Sequence, residues 1–253
     1  MNNQWAVVTG ASSGIGAEFA RQLSEKGYNV LLVGRREERL VQVQKALKNS
    51  SEILVCDLAE KADLDMLKKR LQSLRPGIVI NNAGFGVCGP FTDYAEEAEG
   101  MIRVNIEALH ALTMEALCIM EKQGHGSILN VGSAAGLLPC GPYMTDYYAT
   151  KAYVVSMTSG LGEEMRRKGS PVRIFCLCPG PVNTEFNQVA HVHFSLPGIT
   201  AERCVREALQ GMARGRMLIV PGRVVRTGLF LQRFVPRRLV IHLIAGSQKR
   251  KME

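Results

Sequence analysis

Short apolar runs rich in β-branched residues alternate along this chain with longer stretches at helical spacing. The runs lie at 6–9, 29–33, 52–55, 78–81, 126–131, 172–178 and 217–220. The helical stretches lie at 15–26, 37–47, 61–74, 94–122, 147–167 and 201–214. Strand–helix alternation of this kind demands crossover connections and a mostly parallel sheet. The runs are almost continuously apolar, as strands covered on both faces must be. Right-handed crossovers then wind helices onto both sides. The expectation is an α/β fold, a doubly wound parallel sheet of about seven strands flanked by helices on both faces. With 253 residues and no internal repeat, low-complexity segment or dividing linker, the chain reads as a single domain, 1–253, with an extension at 221–253. The stretch 182–200 is long and without periodicity, which fits a functional loop or lid.

The first run leads into Thr9-Gly10-Ala11-Ser12-Ser13-Gly14-Ile15-Gly16 and then a helix. Glycines between a strand and a helix serve a tight turn, close backbone approach to a pyrophosphate, and a helix N-terminus aimed at the anion. The spacing of Gly10, Gly14 and Gly16 is G-x3-G-x-G rather than G-x-G-x-x-G. The fold expected is therefore Rossmann-like. The second run ends in Gly34-Arg35-Arg36, where an NAD-binding unit would carry a carboxylate for the ribose. Guanidinium groups suit a ribose 2′-phosphate by charge and shape, which favours NADP(H) over NAD.

Tyr147 and Lys151 stand four residues apart, on one face of a helix. An ammonium beside a phenol can lower its pKa and make it an acid/base near neutrality. Ser133 ends the fifth run, and Asn81-Asn82-Ala83-Gly84 and Cys178-Pro179-Gly180-Pro181 end two others. In a doubly wound sheet these carboxyl ends face one ligand crevice. With TGASSGIG at 9–16, Asp57, NNAG at 81–84, Asn105, Ser133, YYATK at 147–151 and PGPVNT at 179–184, the chain resembles the short-chain dehydrogenase/reductase family over roughly 4–220.

The resemblance implies a role for each residue. Tyr147 would exchange a proton with the substrate oxygen while a hydride moves to or from the carbon. Ser133 would hydrogen-bond that oxygen. Lys151 would bind the nicotinamide ribose and depress the Tyr147 pKa, and Asn105 would hold helix geometry and a relaying water. The catalytic set expected is thus Ser133, Tyr147, Lys151 and Asn105. Gly10, Ser12, Ser13, Gly14, Ile15 and Gly16 would cradle NADP(H), with Arg35 on the 2′-phosphate and Arg36 helping. Asp57 and Leu58 would meet adenine, and Asn81, Ala83 and Gly84 would line the cofactor, as Tyr147 and Lys151 would also. Pro179, Gly180, Val182 and Thr184 would surround the carboxamide. One departure from the family pattern is Ser13, where NADP-selective members often carry a basic residue. A catalytically idle NADP(H)-binding sensor or partner-binding protein is the alternative; such relatives lose the tyrosine or the lysine, and this chain keeps both.

Apolar content of 46% and charged content of 21% exclude disorder. No run is long enough to span a bilayer and no secretory leader is visible, so a cytoplasmic location is expected. Seven cysteines form no framework, and Cys176-x-Cys178 reads as strand core. His191-x-His193 has no carboxylate or cysteine partner, so no metal is expected. Met101, Met114 and Met120 read as packing residues. The resemblance implies an interface built from the helix at 94–122 and the one bearing Tyr147, hence a homodimer or homotetramer.

The net charge of +8 is uneven: up to Ala213 there are 21 basic and 22 acidic residues, and from Arg214 onward 10 basic residues and only Glu253. Apolar residues interleave with arginines through 221–251. That texture allows a helix packed over the cleft or a subunit, a peripheral membrane contact, or a surface for acidic carriers or acyl-CoA; nucleic acid fits least. Leu137, Leu138, Tyr143, Met144, Phe186, Val189, Phe194 and Leu196 give the expected pocket an apolar character. A hydrophobic carbonyl or alcohol substrate follows: a steroid, a bile acid or a long-chain acyl compound.

Overall fold

The computed structural model describes residues 4–186 and 198–249. Seven parallel strands form one sheet in the order β3-β2-β1-β4-β5-β6-β9. They are β1 (Trp5–Thr9), β2 (Asn29–Gly34), β3 (Ser51–Val55), β4 (Ile78–Asn81), β5 (Gly126–Val131), β6 (Val172–Leu177) and β9 (Leu218–Ile219). Two short strands, β7 (Val182–Asn183) and β8 (Ile199–Thr200), pair with each other at the two ends of the long aperiodic stretch. The last sheet strand is shorter than the expected 217–220. The order reverses between β1 and β4, so a crevice opens beyond their carboxyl ends.

The helices are α1 (Gly14–Glu25), α2 (Glu37–Lys45), α3 (Lys61–Leu74), α4 (Ala95–Ile102), α5 (Leu109–Gln123), α6 (Thr145–Lys168), α7 (Ala201–Ala213), α8 (Arg223–Leu231) and α9 (Arg237–Lys249). Alternation along each strand divides the core in two. Ala6, Val8, Val30 and Leu32 pack with Phe19 and Leu23 of α1, Leu40 of α2 and Val205 of α7. Val7, Leu31 and Val33 face the other way, onto Leu67 and Leu71 of α3, Leu112 and Met120 of α5 and Met165 of α6. The helix expected at 94–122 is continuous from α4 into α5, but Arg103–Ala108 winds as a π-helix. Such widened turns recur at functional sites, and this one carries Asn105.

Of the three methionines expected to pack, Met101 and Met120 are fully buried, whereas Met114 is 56% exposed. Its position on α5 turns away from the sheet, which periodicity over a mostly apolar helix does not resolve. Cys176 and Cys178 are buried with their sulfurs 3.6 Å apart and remain free thiols. Val189, Phe194, Leu196, His191 and His193 lie outside the described residues. Among the described residues no helix is long and apolar enough to cross a membrane, and no cluster of side chains could hold a metal.

Candidate active site

The turn from β1 into α1 is tied to the end of β4. Thr9 Oγ1 accepts from the backbone N–H groups of Asn82 and Ala83, both at 3.0 Å. Asn82 Nδ2 donates to Thr9 O at 2.9 Å and to Gly10 O at 3.3 Å. Gly10 holds a φ of +64°, open to glycine at little cost. A Cβ on Gly16 would stand 2.2 Å from Gly10 O. Gly16 is therefore a packing residue that lets the loop fold back on the helix, and it does not line the cleft. The α1 N-cap, Ser13, makes no side-chain capping bond and the first turn carries no acid. Its first N–H groups stay available to an anion.

Arg36 reaches over this loop. Its guanidinium donates to Ser12 Oγ at 2.9 Å and Ser13 Oγ at 2.8 Å, and to Glu185 at 3.1 Å. Arg39 also donates to Glu185, and the two arginines, Arg39 first, hold that carboxyl below the usual range. Arg35 is more exposed and makes one long contact, 3.4 Å, to Asp57. The serines that replace a basic loop residue thus bring Arg36 to the same place, and Arg36, rather than Arg35, is the better fixed cation.

One cleft of about 690 Å³ runs across the carboxyl ends of the strands. Its wall includes Gly10, Ser12, Ser13, Gly14, Ile15, Arg35, Arg36, Asp57, Leu58, Ala83 and Gly84 at one end. Ser133, Tyr147, Lys151, Pro179, Gly180, Val182 and Thr184 line it at the other. Asn81 is absent from that wall: it is 2% exposed, and its Nδ2 donates to Thr113 Oγ1 and Asn130 Oδ1 within the layer between sheet and helix. Its neighbour Asn82 lines the cleft instead, because adjacent residues of an extended chain point oppositely.

At the catalytic end, Ser133 Oγ accepts from Ala135 N at 3.1 Å, and the same side chain acts to lower the pKa of the Tyr147 phenol. The Tyr147 ring packs on Phe186, centroids 5.5 Å apart. Lys151 Nζ donates to Val131 O at 2.9 Å and lies 5.9 Å from the Tyr147 ring centroid. A Cβ on Gly84 would meet Asn105 Oδ1 at 2.8 Å and Lys151 Nζ at 3.2 Å, so both side chains converge beside this glycine. Asn105 is fully buried. Its Nδ2 donates to Phe85 O and Thr150 Oγ1, at 2.9 and 3.1 Å, and its Oδ1 accepts from Phe85 N. It therefore ties the segment after β4 to α6 from behind the cleft rather than lining it.

Burial is the first cause acting on both titrating groups. It pushes the Tyr147 phenol up to about 12, against a lowering by Ser133. It pushes the Lys151 ammonium down to about 8. The depressed phenol pKa expected from the four-residue spacing is not found in the protein alone. Desolvation is the largest influence on the phenol and Ser133 the one that opposes it, while Lys151 Nζ is held by Val131 O. The rival Tyr148 accepts from Gln248 Nε2 at 2.8 Å and is the more buried of the two rings.

A profile described as short chain dehydrogenase matches residues 4–192. The chain belongs to this family. It is accordingly an oxidoreductase acting on carbonyl and alcohol groups. It is 34% identical over 215 residues to a very-long-chain 3-oxoacyl-CoA reductase of Anas platyrhynchos, covering 81% of this chain and 67% of that one. A short-chain dehydrogenase from Sphingobium yanoikuyae in complex with NADPH superposes with a TM-score of 0.82 at 31% identity, over 93% of this chain and 94% of that one. The bulky-bulky ketone specific alcohol dehydrogenase from Comamonas testosteroni superposes with a TM-score of 0.76 at 28% identity, over 93% and 100%.

Several residues of this dehydrogenase site carried no role in the sequence reading. Asn82 and Thr9 form the staple beneath the glycine loop, and Asn82 was legible only as part of NNAG. Glu185 clamps Arg36 and Arg39 from 149 and 146 residues away, and no local pattern marks it. Val224, Val225, Leu229, Ile244 and Gln248 line the cleft from α8 and α9, so the basic tail is part of its wall. Gln248 Oε1 is buried there without a hydrogen-bond partner. Of the expected pocket residues, Leu138, Met144 and Phe186 line the cleft; Leu137 faces another groove, and Tyr143 lines neither.

Proposed function

We propose that the chain is an NADP(H)-dependent oxidoreductase that reduces a ketone, or oxidises a secondary alcohol, on a bulky lipophilic substrate such as a steroid, a bile acid or a long-chain acyl compound. The observation that carries this reading is the meeting of Ser133, the Tyr147 phenol and the buried Lys151 in one wall of an apolar cleft.

The cofactor's fit rests on the other end of the same cleft. The uncapped α1 N-terminus takes a pyrophosphate, and Arg36, with Arg35 beside it, takes a 2′-phosphate. When bound, the reduced nicotinamide supplies the hydride that goes to the carbonyl carbon. Tyr147 then gives its phenolic proton to the carbonyl oxygen, and in the reverse direction its phenolate takes the alcohol proton. Burial keeps the phenol protonated far above neutral pH, which suits a donor. Ser133 donates a hydrogen bond to the same oxygen and fixes its place between the two hydroxyls. Lys151 presents an ammonium beside Gly84 for ribose hydroxyls, and Asn105 holds the segment after β4 against α6.

The substrate reading is supported by the wall of Leu138, Met144, Tyr148, Phe186, Leu229 and Ile244, and by the relatives named for very-long-chain 3-oxoacyl-CoA and bulky-bulky ketones. The unpaired Gln248 Oε1 favours a substrate with a hydroxyl or N–H away from its carbonyl. The reading treats 1–253 as one domain, in a homodimer or homotetramer, with α8 and α9 of the C-terminal extension lining the cleft. The test is NADPH consumption with a panel of steroidal, bile-acid and aliphatic ketones. Tyr147→Phe keeps the ring, removes the donor and should lower turnover by about 10²–10⁴-fold. Undiminished turnover would overturn the assignment. Tight NADPH binding without turnover of any ketone would favour the idle binding protein.

A further inference from the structure

The outer side of α8 and α9 is unlike the rest of the surface. Among the described residues, twelve large apolar side chains stand exposed, and six of them fall within 224–243: Val224, which also lines the cleft, and Phe230, Leu231, Phe234, Leu239 and Leu243. Val224 and Phe234 are each more than 70% exposed. The Phe230 and Phe234 rings pack edge to face at 5.5 Å. Such a concentration exceeds the scattered apolar residues of an ordinary surface. Arg233, Arg237 and Arg238 stand exposed among them, and no acidic residue occurs between Ala208 and Met252.

Beside α8 lies a groove of about 760 Å³ lined by seven arginines and a single carboxylate, Glu207. Arg203 and Arg226 share Glu207, and Arg206 pairs with Glu202. Arg214, Arg216, Arg223 and Arg233 have no carboxylate partner among the described residues. Converging cations without counter-charges repel one another, and an anion relieves that repulsion.

We infer that α8 and α9 dock the protein on an anionic lipid membrane, with phosphate headgroups in the arginine groove and Phe230, Leu231 and Phe234 in the acyl boundary. An apolar face rimmed by arginines is the pattern of an interfacial helix, and basic residues near an anionic leaflet add attraction that salt screens. A second copy of this chain fits less well. A two-fold contact sets the same patch against itself, which would press these arginines together with no acid to offset them. A tail helix with a merely solvated basic face would not show the exposed phenylalanines and leucines. The docking has a geometric consequence: Val225, Leu229, Ile244 and Gln248, on the inner faces of the same helices, line the cleft, so the docking element is also the cleft's roof.

The test uses the full chain and vesicles of phosphatidylcholine with or without phosphatidylglycerol, read by co-sedimentation. Binding to the anionic vesicles alone, weakening as salt rises, is expected. The triple variant Phe230→Ser, Leu231→Ser, Phe234→Ser should bind them at least about tenfold more weakly. None of these three residues lines the cleft, so turnover of a water-soluble ketone by this variant should match the parent and shows that it is folded. Arg233→Glu with Arg237→Glu and Arg238→Glu should also weaken binding and flatten its salt dependence. Absence of vesicle binding by the parent, equal binding to neutral vesicles, or unchanged binding by the triple variant would each overturn the inference. If light scattering showed the triple variant losing a subunit while vesicle binding held, the face would be an interface between copies.

Discussion

Lys151→Met should make the cofactor-free protein more stable at neutral pH while abolishing its activity. The lysine is 4% exposed, and burial lowers its pKa from 10.5 to about 8. That difference corresponds to about 3 kcal/mol of penalty on the charged form, at 1.36 kcal/mol per pKa unit. Methionine fills similar space without a charge. It also strands Val131 O, which now accepts from Nζ at 2.9 Å, and an unpaired buried carbonyl costs about 1 kcal/mol. The net gain is about 2 kcal/mol near pH 7. The sign of the pH dependence follows from proton counting. The unfolded chain keeps this proton up to 10.5 and the folded one only to about 8. Parent stability therefore rises between those values, and the penalty disappears. By pH 10 the variant should have lost its advantage and should fall slightly below the parent. The raised phenol of Tyr147 is common to both proteins and cancels from the comparison. Urea unfolding of both at the two pH values measures the two differences directly. A variant less stable than the parent at pH 7, or a gap that does not change with pH, would refute the buried-charge argument.

Arg36→Ala should weaken NADPH binding by about tenfold or more while changing NADH binding little, since charge-assisted hydrogen bonds to a 2′-phosphate are lost; Arg35→Ala should do less, and equal losses for the two cofactors in a fluorescence titration would remove the 2′-phosphate role. Gly16→Ala places a Cβ 2.2 Å from Gly10 O. The backbone must shift, so the variant should lose about 1–3 kcal/mol of stability together with NADPH affinity; a parent-like melting curve would contradict the packing role. In kcat/KM for reduction, the phenol proton persists to about 12 and the Lys151 charge to about 8. The first alkaline limb should therefore fall near pH 8 and belong to the lysine; a profile level to about pH 10 would refute that.

Much of the site was legible because it is local. The TGASSGIG turn needs only a strand before it and a helix after it. Tyr147 and Lys151 need only one helix to share a face. Ser133, Gly84 and Gly180 follow from their positions just beyond strands whose carboxyl ends face one crevice. Where sequence pattern and structure differ, the cause is orientation between neighbours or contact over long sequence distance. Asn81 and Asn82 differ by one residue, and register alone sends one to the layer beneath the sheet and the other to the glycine loop. Met114 lies on an apolar helix but faces outward, because the sheet covers only one side of α5. The phenol pKa is set first by burial, which exists only once the cleft is assembled.

Hydrophobic period and short-range spacing were enough for the layered α/β architecture, the seven strands of the main sheet, the glycine turn and the tyrosine–lysine pair, because both act through the chain's own geometry. Tertiary structure alone decided which arginine holds the loop serines, that Glu185 clamps it, and that the basic tail roofs the cleft. Those contacts join residues from 23 to 149 positions apart, and their energies exist only once the sheet has brought the segments together.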